Sequence, residues 1–195
     1  MDKIVPRWEW RTFGTDFGEA DALFAAMDPE RTEETDEIYL VSSVIDKAVK
    51  LRAGLMDIKS LERVSEAGLE QWRPVLKAEV PLSPEDAVRV CAALGAAPPA
   101  TRRDSYTLEQ LVEELRESQP DLRTAPLHKK RLHYTIDGCM VEMTEVLVEG
   151  KMSRTLALES EDPDLVVAAM RDLKLTGREN TSYPRWLGAN AGLGS

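Results

Sequence analysis

The sequence predicts an α+β fold built on antiparallel β-meanders, and three observations carry that prediction. Eight segments alternate between apolar and polar or charged residues with the period of 2 that marks a strand with two unlike faces. Turn signals separate most of them at short intervals, at Asp46-Lys47, Ala53-Gly54, Glu66-Ala67-Gly68, Asp137-Gly138 and Glu149-Gly150. Four further segments carry apolar residues at helical spacing, so the order reads strand, helix, four strands, two helices, three strands, helix.

The first strand is Arg7-Trp8-Glu9-Trp10-Arg11-Thr12-Phe13, with charges on one face and both Trp on the other, where they pack against a helix or stack on a base. Asp16 to Met27 follows as a helix, with Leu23, Phe24 and Met27 in register, a cap at Thr15 or Asp16 and a stop near Asp28-Pro29. Glu37 to Ser42, Lys47 to Arg52, Leu55 to Arg63 and Leu69 to Lys77 then read as successive strands. Ser83-Pro84-Glu85-Asp86 opens the next helix, because it offers a cap, a Pro in the first turn and acids at the positive end of the dipole. That helix runs to Gly95, and Ala96 to Ala100 with its Pro98-Pro99 pair is a linker. Ser105 to Ser118 forms another helix, with Leu108, Leu111, Val112 and Leu115 on one side and a row of Glu on the other that serves as a solvated lid or a partner surface. Lys129 to Ile136, Cys139 to Val148 and Met152 to Glu159 are the last strands, and Pro163 to Leu173 is the final helix. The tail Asn180 to Leu187 is aromatic and reads as a strap over the outside, or as a cap that brings Arg185 to one opening.

At 195 residues the chain is expected to form a single domain over 1–195, with a helical insertion at about 96–126. The balance of 25 Lys+Arg against 35 Asp+Glu gives a net charge of −10, which disfavours nucleic acid and anionic membrane as partners. No apolar leader or spanning segment is seen, so a cytoplasmic location is expected. Cys91 and Cys139 form no CxxC pair, and His128 and His133 lack a second ligand at metal spacing, so no zinc site is indicated. No GxGxxG, Walker loop, HExxH or GxSxG occurs.

The distribution of charge says more than its total. Residues 15–37 hold nine acids and one base, whereas residues 47–77 hold seven bases and four acids, and residues 123–133 add four bases and no acid. Alternation places Lys50 with Arg52, Asp57 with Lys59, and Lys129 with Arg131 and His133, each set on the charged face of its strand. Two arrangements satisfy this pattern. Either the sheet closes and the charged faces line a polar tunnel of both signs, suited to a phosphate chain and a divalent metal, or the charged face is simply wet.

The ordered set of Arg7-x-Glu9-x-Arg11, Lys50-Leu51-Arg52, Lys59, Lys129-Lys130-Arg131, Val141-Glu142-Met143-Thr144-Glu145-Val146 and Leu156-Ala157-Leu158-Glu159 resembles the CYTH family, the triphosphate tunnel metalloenzymes. That family includes thiamine triphosphatases, inorganic tripolyphosphatases and class IV adenylate cyclases, and the resemblance spans about residues 4–187. It implies a closed antiparallel β-barrel of about eight strands with flanking helices, which binds a small phosphorylated polyanion such as tripolyphosphate, polyphosphate, or a nucleoside or thiamine triphosphate. It assigns Arg7, Lys50, Arg52, Lys59, Lys129 and Arg131 to the phosphates, Glu9, Glu142 and Glu159 to Mg²⁺ or Mn²⁺, and Glu9 with Arg11 to catalysis of phosphohydrolysis. The sequence departs from the family where Arg7 and Ala157 replace Glu and Arg11 replaces Lys; Arg stays protonated at working pH and is a poor proton acceptor. The alternatives are a non-catalytic phosphate or nucleotide sensor on the same barrel, and a protein-interaction module.

Overall fold

Alternating sequence becomes a closed sheet in the computed structural model, which describes residues 5–190. The ends of the expected domain, residues 1–4 and 191–195, lie outside the described residues. In chain order the elements are β1 (Arg7–Gly14), α1 (Glu19–Ala25), β2 (Arg31–Val41), β3 (Lys47–Arg52), β4 (Leu55–Val64), β5 (Glu70–Glu79), α2 (Pro84–Ala93), α3 (Leu108–Ser118), β6 (Arg123–Ile136), β7 (Cys139–Val148), β8 (Lys151–Ser160), α4 (Pro163–Asp172) and α5 (Tyr183–Ala189). The eight strands close in the order β1-β5-β4-β3-β2-β6-β7-β8. This is the α+β barrel that the sequence predicted, with five helices among the described residues.

Helix boundaries follow local chemistry. Ser83 caps α2 by accepting the Asp86 N–H at 3.1 Å. Thr107 and Gln110 form a reciprocal capping box at α3, so that helix starts at Leu108, three residues later than Ser105. Asp162 caps α4, which begins with Pro163 as expected. Two strands are longer than the alternation indicated. β2 starts at Arg31, which the alternation did not show because 31–36 (Arg-Thr-Glu-Glu-Thr-Asp) has no apolar member, and β6 starts at Arg123 although Pro126 interrupts its pattern.

The strands thread two compact units. Among the described residues the first comprises 5–35, 61–73 and 128–182. In it Trp8 and Trp10 of β1, Val141 and Met143 of β7, and Leu156 and Leu158 of β8 form a core with Phe17, Phe24 of α1, and Val166 and Ala169 of α4. Both Trp residues are therefore packed under helices. The β1–β8 and β7–β8 registers line up Trp10, Leu158 and Val141 in one apolar row. The second unit comprises, among the described residues, 36–60, 74–127 and 183–190. There Leu40, Val49, Met56 and Ile58 from β2, β3 and β4 meet Val90, Cys91 and Leu94 of the α2 region and Leu111, Val112 and Leu115 of α3. Cys91 and Cys139 are both buried, and burial pushes each thiol up to about 11, which suits a packing role. No helix among the described residues is long and apolar enough to cross a membrane.

Trp10 is 2% exposed, so Trp10→Ala removes a full aromatic from a packed site and lowers the unfolding free energy by about 3–5 kcal/mol. Met152→Ala, at a position 61% exposed, changes it by less than about 0.5 kcal/mol. Urea denaturation of the two variants beside the parent measures the difference.

Candidate functional site

The period that buries Trp8 and Trp10 turns Arg7, Glu9 and Arg11 to the other face of β1, and the strand register decides what they meet. Arg11 stands opposite Ala157 of β8, and Ala157 stands opposite Glu142 of β7. Because the side chain at 157 is a single methyl, the Arg11 guanidinium extends across β8. Its Nη1 lies 3.4 Å from Glu142 Oε1 and 3.4 Å from Thr155 Oγ1, while its Nε donates to Glu9 Oε1 at 2.9 Å. The backbone of Arg11 is also held on its edge: its N–H donates to Asn180 Oδ1 at 2.8 Å and its carbonyl accepts the Thr181 N–H at 2.7 Å.

Glu142 is where the charges of the first unit meet. Arg131 Nε of β6 lies 3.6 Å from Glu142 Oε2, and the Thr144 hydroxyl donates to Oε1 at 2.9 Å. Arg131 also donates to the Thr35 hydroxyl. Burial by itself raises the Glu142 carboxyl, but Arg11, Arg131, the Thr144 hydroxyl and Lys129 outweigh it and bring its pKa down to about 2. Lys129 is 1% and Arg131 4% exposed, on the face of β6 opposite Lys130, which is exposed. The remaining pair is looser: Arg7 Nη1 lies 3.4 Å from Glu159 Oε1, both side chains well solvated. Glu159 is opposite Glu9 in the register. His133 has its Nε2 3.1 Å from Arg31 Nη2 and 3.6 Å from Glu33, and His128 is exposed.

In the second unit the charged face of β3 meets a residue that sequence reasoning had not assigned to the site. Glu37 of β2, buried, accepts from Lys50 Nζ at 3.5 Å and lies 3.8 Å from Arg52 Nη1, directly across the ladder. Its sequence signal was hidden, since it ends the acidic run of 15–37. Lys50 Nζ also sits 5.8 Å from the centroid of the Tyr39 ring, which stacks on Tyr183 of α5 at 5.3 Å, with Trp186 edge-on to Tyr183 at 6.3 Å. The aromatic tail is therefore a helix that lies against the Lys50 face of β2–β3. Lys59, half-buried, shares its face of β4 with Asp57, which pairs with Lys50.

The structure thus brings Glu9, Arg11, Lys129, Arg131 and Glu142 together in the first unit, pairs Arg7 with Glu159 there, and joins Lys50 and Arg52 through Glu37 in the second. The implied divalent metal fits this arrangement poorly. Glu9, Glu142 and Glu159 each lie against a guanidinium. Among the described residues no three His, Cys, Asp or Glu side chains come close enough to share a cation.

No protein-family model matches the sequence, and no curated protein matches it. Solved structures do. A putative adenylyl cyclase from Hippeastrum, HpAC1, described as revealing a dominant triphosphatase activity, aligns over 95% of this chain and 96% of its own at 15% identity with a TM-score of 0.54. A conserved hypothetical protein from Pyrococcus furiosus aligns over 91% of this chain and 98% of its own at 19% identity with a TM-score of 0.50. At these identities the likeness shows the fold alone, a closed antiparallel barrel of eight strands with flanking helices.

A carboxyl held low by its cations stabilises the folded chain above the usual glutamate range, and that contribution is lost as pH falls through the folded value. Glu142→Gln therefore lowers stability at neutral pH by on the order of 2–3 kcal/mol. The parent's advantage over the variant is full above about pH 4.5 and fades toward about pH 2, which chemical denaturation across that window measures.

Proposed function

We propose that this protein binds a small phosphorylated polyanion of the triphosphate class in the basic interior of its barrel. The observation that carries the reading is the burial of Arg11, Lys129 and Arg131 around the Glu142 carboxylate. These side chains gather several N–H donors in one enclosed place, and a phosphate chain offers several acceptor oxygens to Lys and Arg at once. The sequence resemblance adds Lys50, Arg52 and Lys59 as further phosphate ligands, and the triphosphatase description of HpAC1 agrees with a ligand of this class.

Metal-dependent phosphohydrolysis is the second reading, favoured by that same description and by Glu9, Glu142 and Glu159 lying on the charged faces of their strands. Binding is the stronger conclusion. Catalysis of phosphoryl transfer depends on metal charge and on positioning a nucleophile, and Arg11 holds the carboxylates without being able to accept a proton. Phosphate release from tripolyphosphate, long-chain polyphosphate, ATP and thiamine triphosphate with Mg²⁺ or Mn²⁺ separates the two readings, and slow or absent turnover is expected.

Binding itself is tested by thermal unfolding. Tripolyphosphate raises the melting temperature, since a ligand at about 100 times its dissociation constant adds about 2.7 kcal/mol of stability, and added salt shrinks the rise. Lys129→Ala and Arg52→Ala lose most of the rise, whereas Lys130→Ala, one residue away on the opposite face of β6, keeps it. Equal rises in all three variants would mean that no specific site exists.

A further inference from the structure

A divalent cation in a tunnel of this fold needs carboxylates that are available to it, and Glu9, Glu142 and Glu159, the three that the resemblance assigns to it, each lie against a guanidinium of the chain. The two contacts differ in weight. Arg7–Glu159 is solvated on both sides, with side chains 46% and 32% exposed, and a pair of that kind contributes little. Arg11 is different: its side chain is 11% exposed, it holds Glu9 through Nε and Glu142 through Nη1, and it thereby joins β1 to β7 across β8. That span depends on Ala157, the residue directly between Arg11 and Glu142, because any longer side chain there would occupy the path of the guanidinium. Arg11 and Ala157 are thus one device. An Arg at 11 supplies a permanent positive charge, and a small residue at 157 lets that charge reach the carboxylates of both flanking strands.

We infer that the Arg11 guanidinium, spanning Ala157 to Glu142 and Glu9, takes the place of a divalent cation, so that this protein binds its polyanion without metal. This rests on the polyanion reading above and specifies the ionic form of the ligand. The low pKa of Glu142 agrees with it, since the carboxylate is already ionised and neutralised by cations of the chain. Hydrated Mg²⁺ gains a site by binding one or two carboxylates together with phosphate oxygens, and here it would have to displace a hydrogen-bonded guanidinium first. Mg²⁺ would instead act on the ligand, where it removes negative charge that the Lys and Arg side chains would otherwise recognise.

The sign of the metal effect is therefore the test. Protein freed of metal with EDTA is titrated with tripolyphosphate by calorimetry, in EDTA and then in excess Mg²⁺. The expected result is an affinity in EDTA equal to or greater than that in Mg²⁺, and no capture of Mn²⁺ by the parent protein alone, read from the electron paramagnetic resonance signal of free Mn²⁺. Arg11→Gln is expected to weaken binding in EDTA by about tenfold or more and to begin capturing Mn²⁺; should that variant not fold, the two measurements on the parent protein decide alone. Binding that tightens in Mg²⁺, Mn²⁺ captured by the parent, or an Arg11→Gln variant that binds tripolyphosphate as well as the parent would overturn the inference and leave the polyanion function standing. Absence of tripolyphosphate binding in both buffers would overturn that function, and the inference with it.

Discussion

The contact on which the first unit depends is the reach of Arg11 over Ala157 to Glu142. A guanidinium this buried has to be satisfied on the spot, and it is satisfied by Glu9, Glu142 and Thr155. The same register of β1, β8 and β7 aligns Trp10, Leu158 and Val141 on the other face under α4. Slipping one strand by a single residue would expose the Trp row and drive Arg11 into the apolar core, so hydrophobic burial and ion pairing enforce one register together.

Charge is organised the same way. The chain carries a net charge of −10, yet Lys129, Arg131 and Arg11 are among its most enclosed polar side chains. In the second unit, Glu37 plays the part that Glu142 plays in the first. It holds Lys50 and Arg52 on one face of the β2–β3 ladder, with Tyr39 and Tyr183 stacked beside Lys50. Both acids hold cations of the chain in place.

Much of this was legible in the sequence, because period-2 alternation reports which residues share a face. It put Lys129 and Arg131 on one face of β6, and the structure buries both while Lys130 on the other face is exposed. Turn and cap residues located most strand and helix ends. What stayed hidden had no period to reveal it. The all-polar residues 31–36 concealed the start of β2, and Glu37 looked like the last acid of a solvated run. Asn180 and Thr181, which hold the backbone of Arg11, follow from no local pattern, and α5 is too short to show helical spacing. Pairing partners were out of reach as well: alternation assigned Glu9 and Glu142 to a face, but only the register shows that Arg11 reaches both.

A crystal structure of the metal-free protein with tripolyphosphate bound, followed by a Mn²⁺ soak read by anomalous scattering, bears most directly on these conclusions. The expected result is phosphate oxygens within hydrogen-bonding distance of Lys129 and Arg131, Arg11 still on Glu142, and no Mn²⁺ peak at Glu9, Glu142 or Glu159. A Mn²⁺ ion bridging those carboxylates to the phosphate chain, with Arg11 displaced, would contradict it.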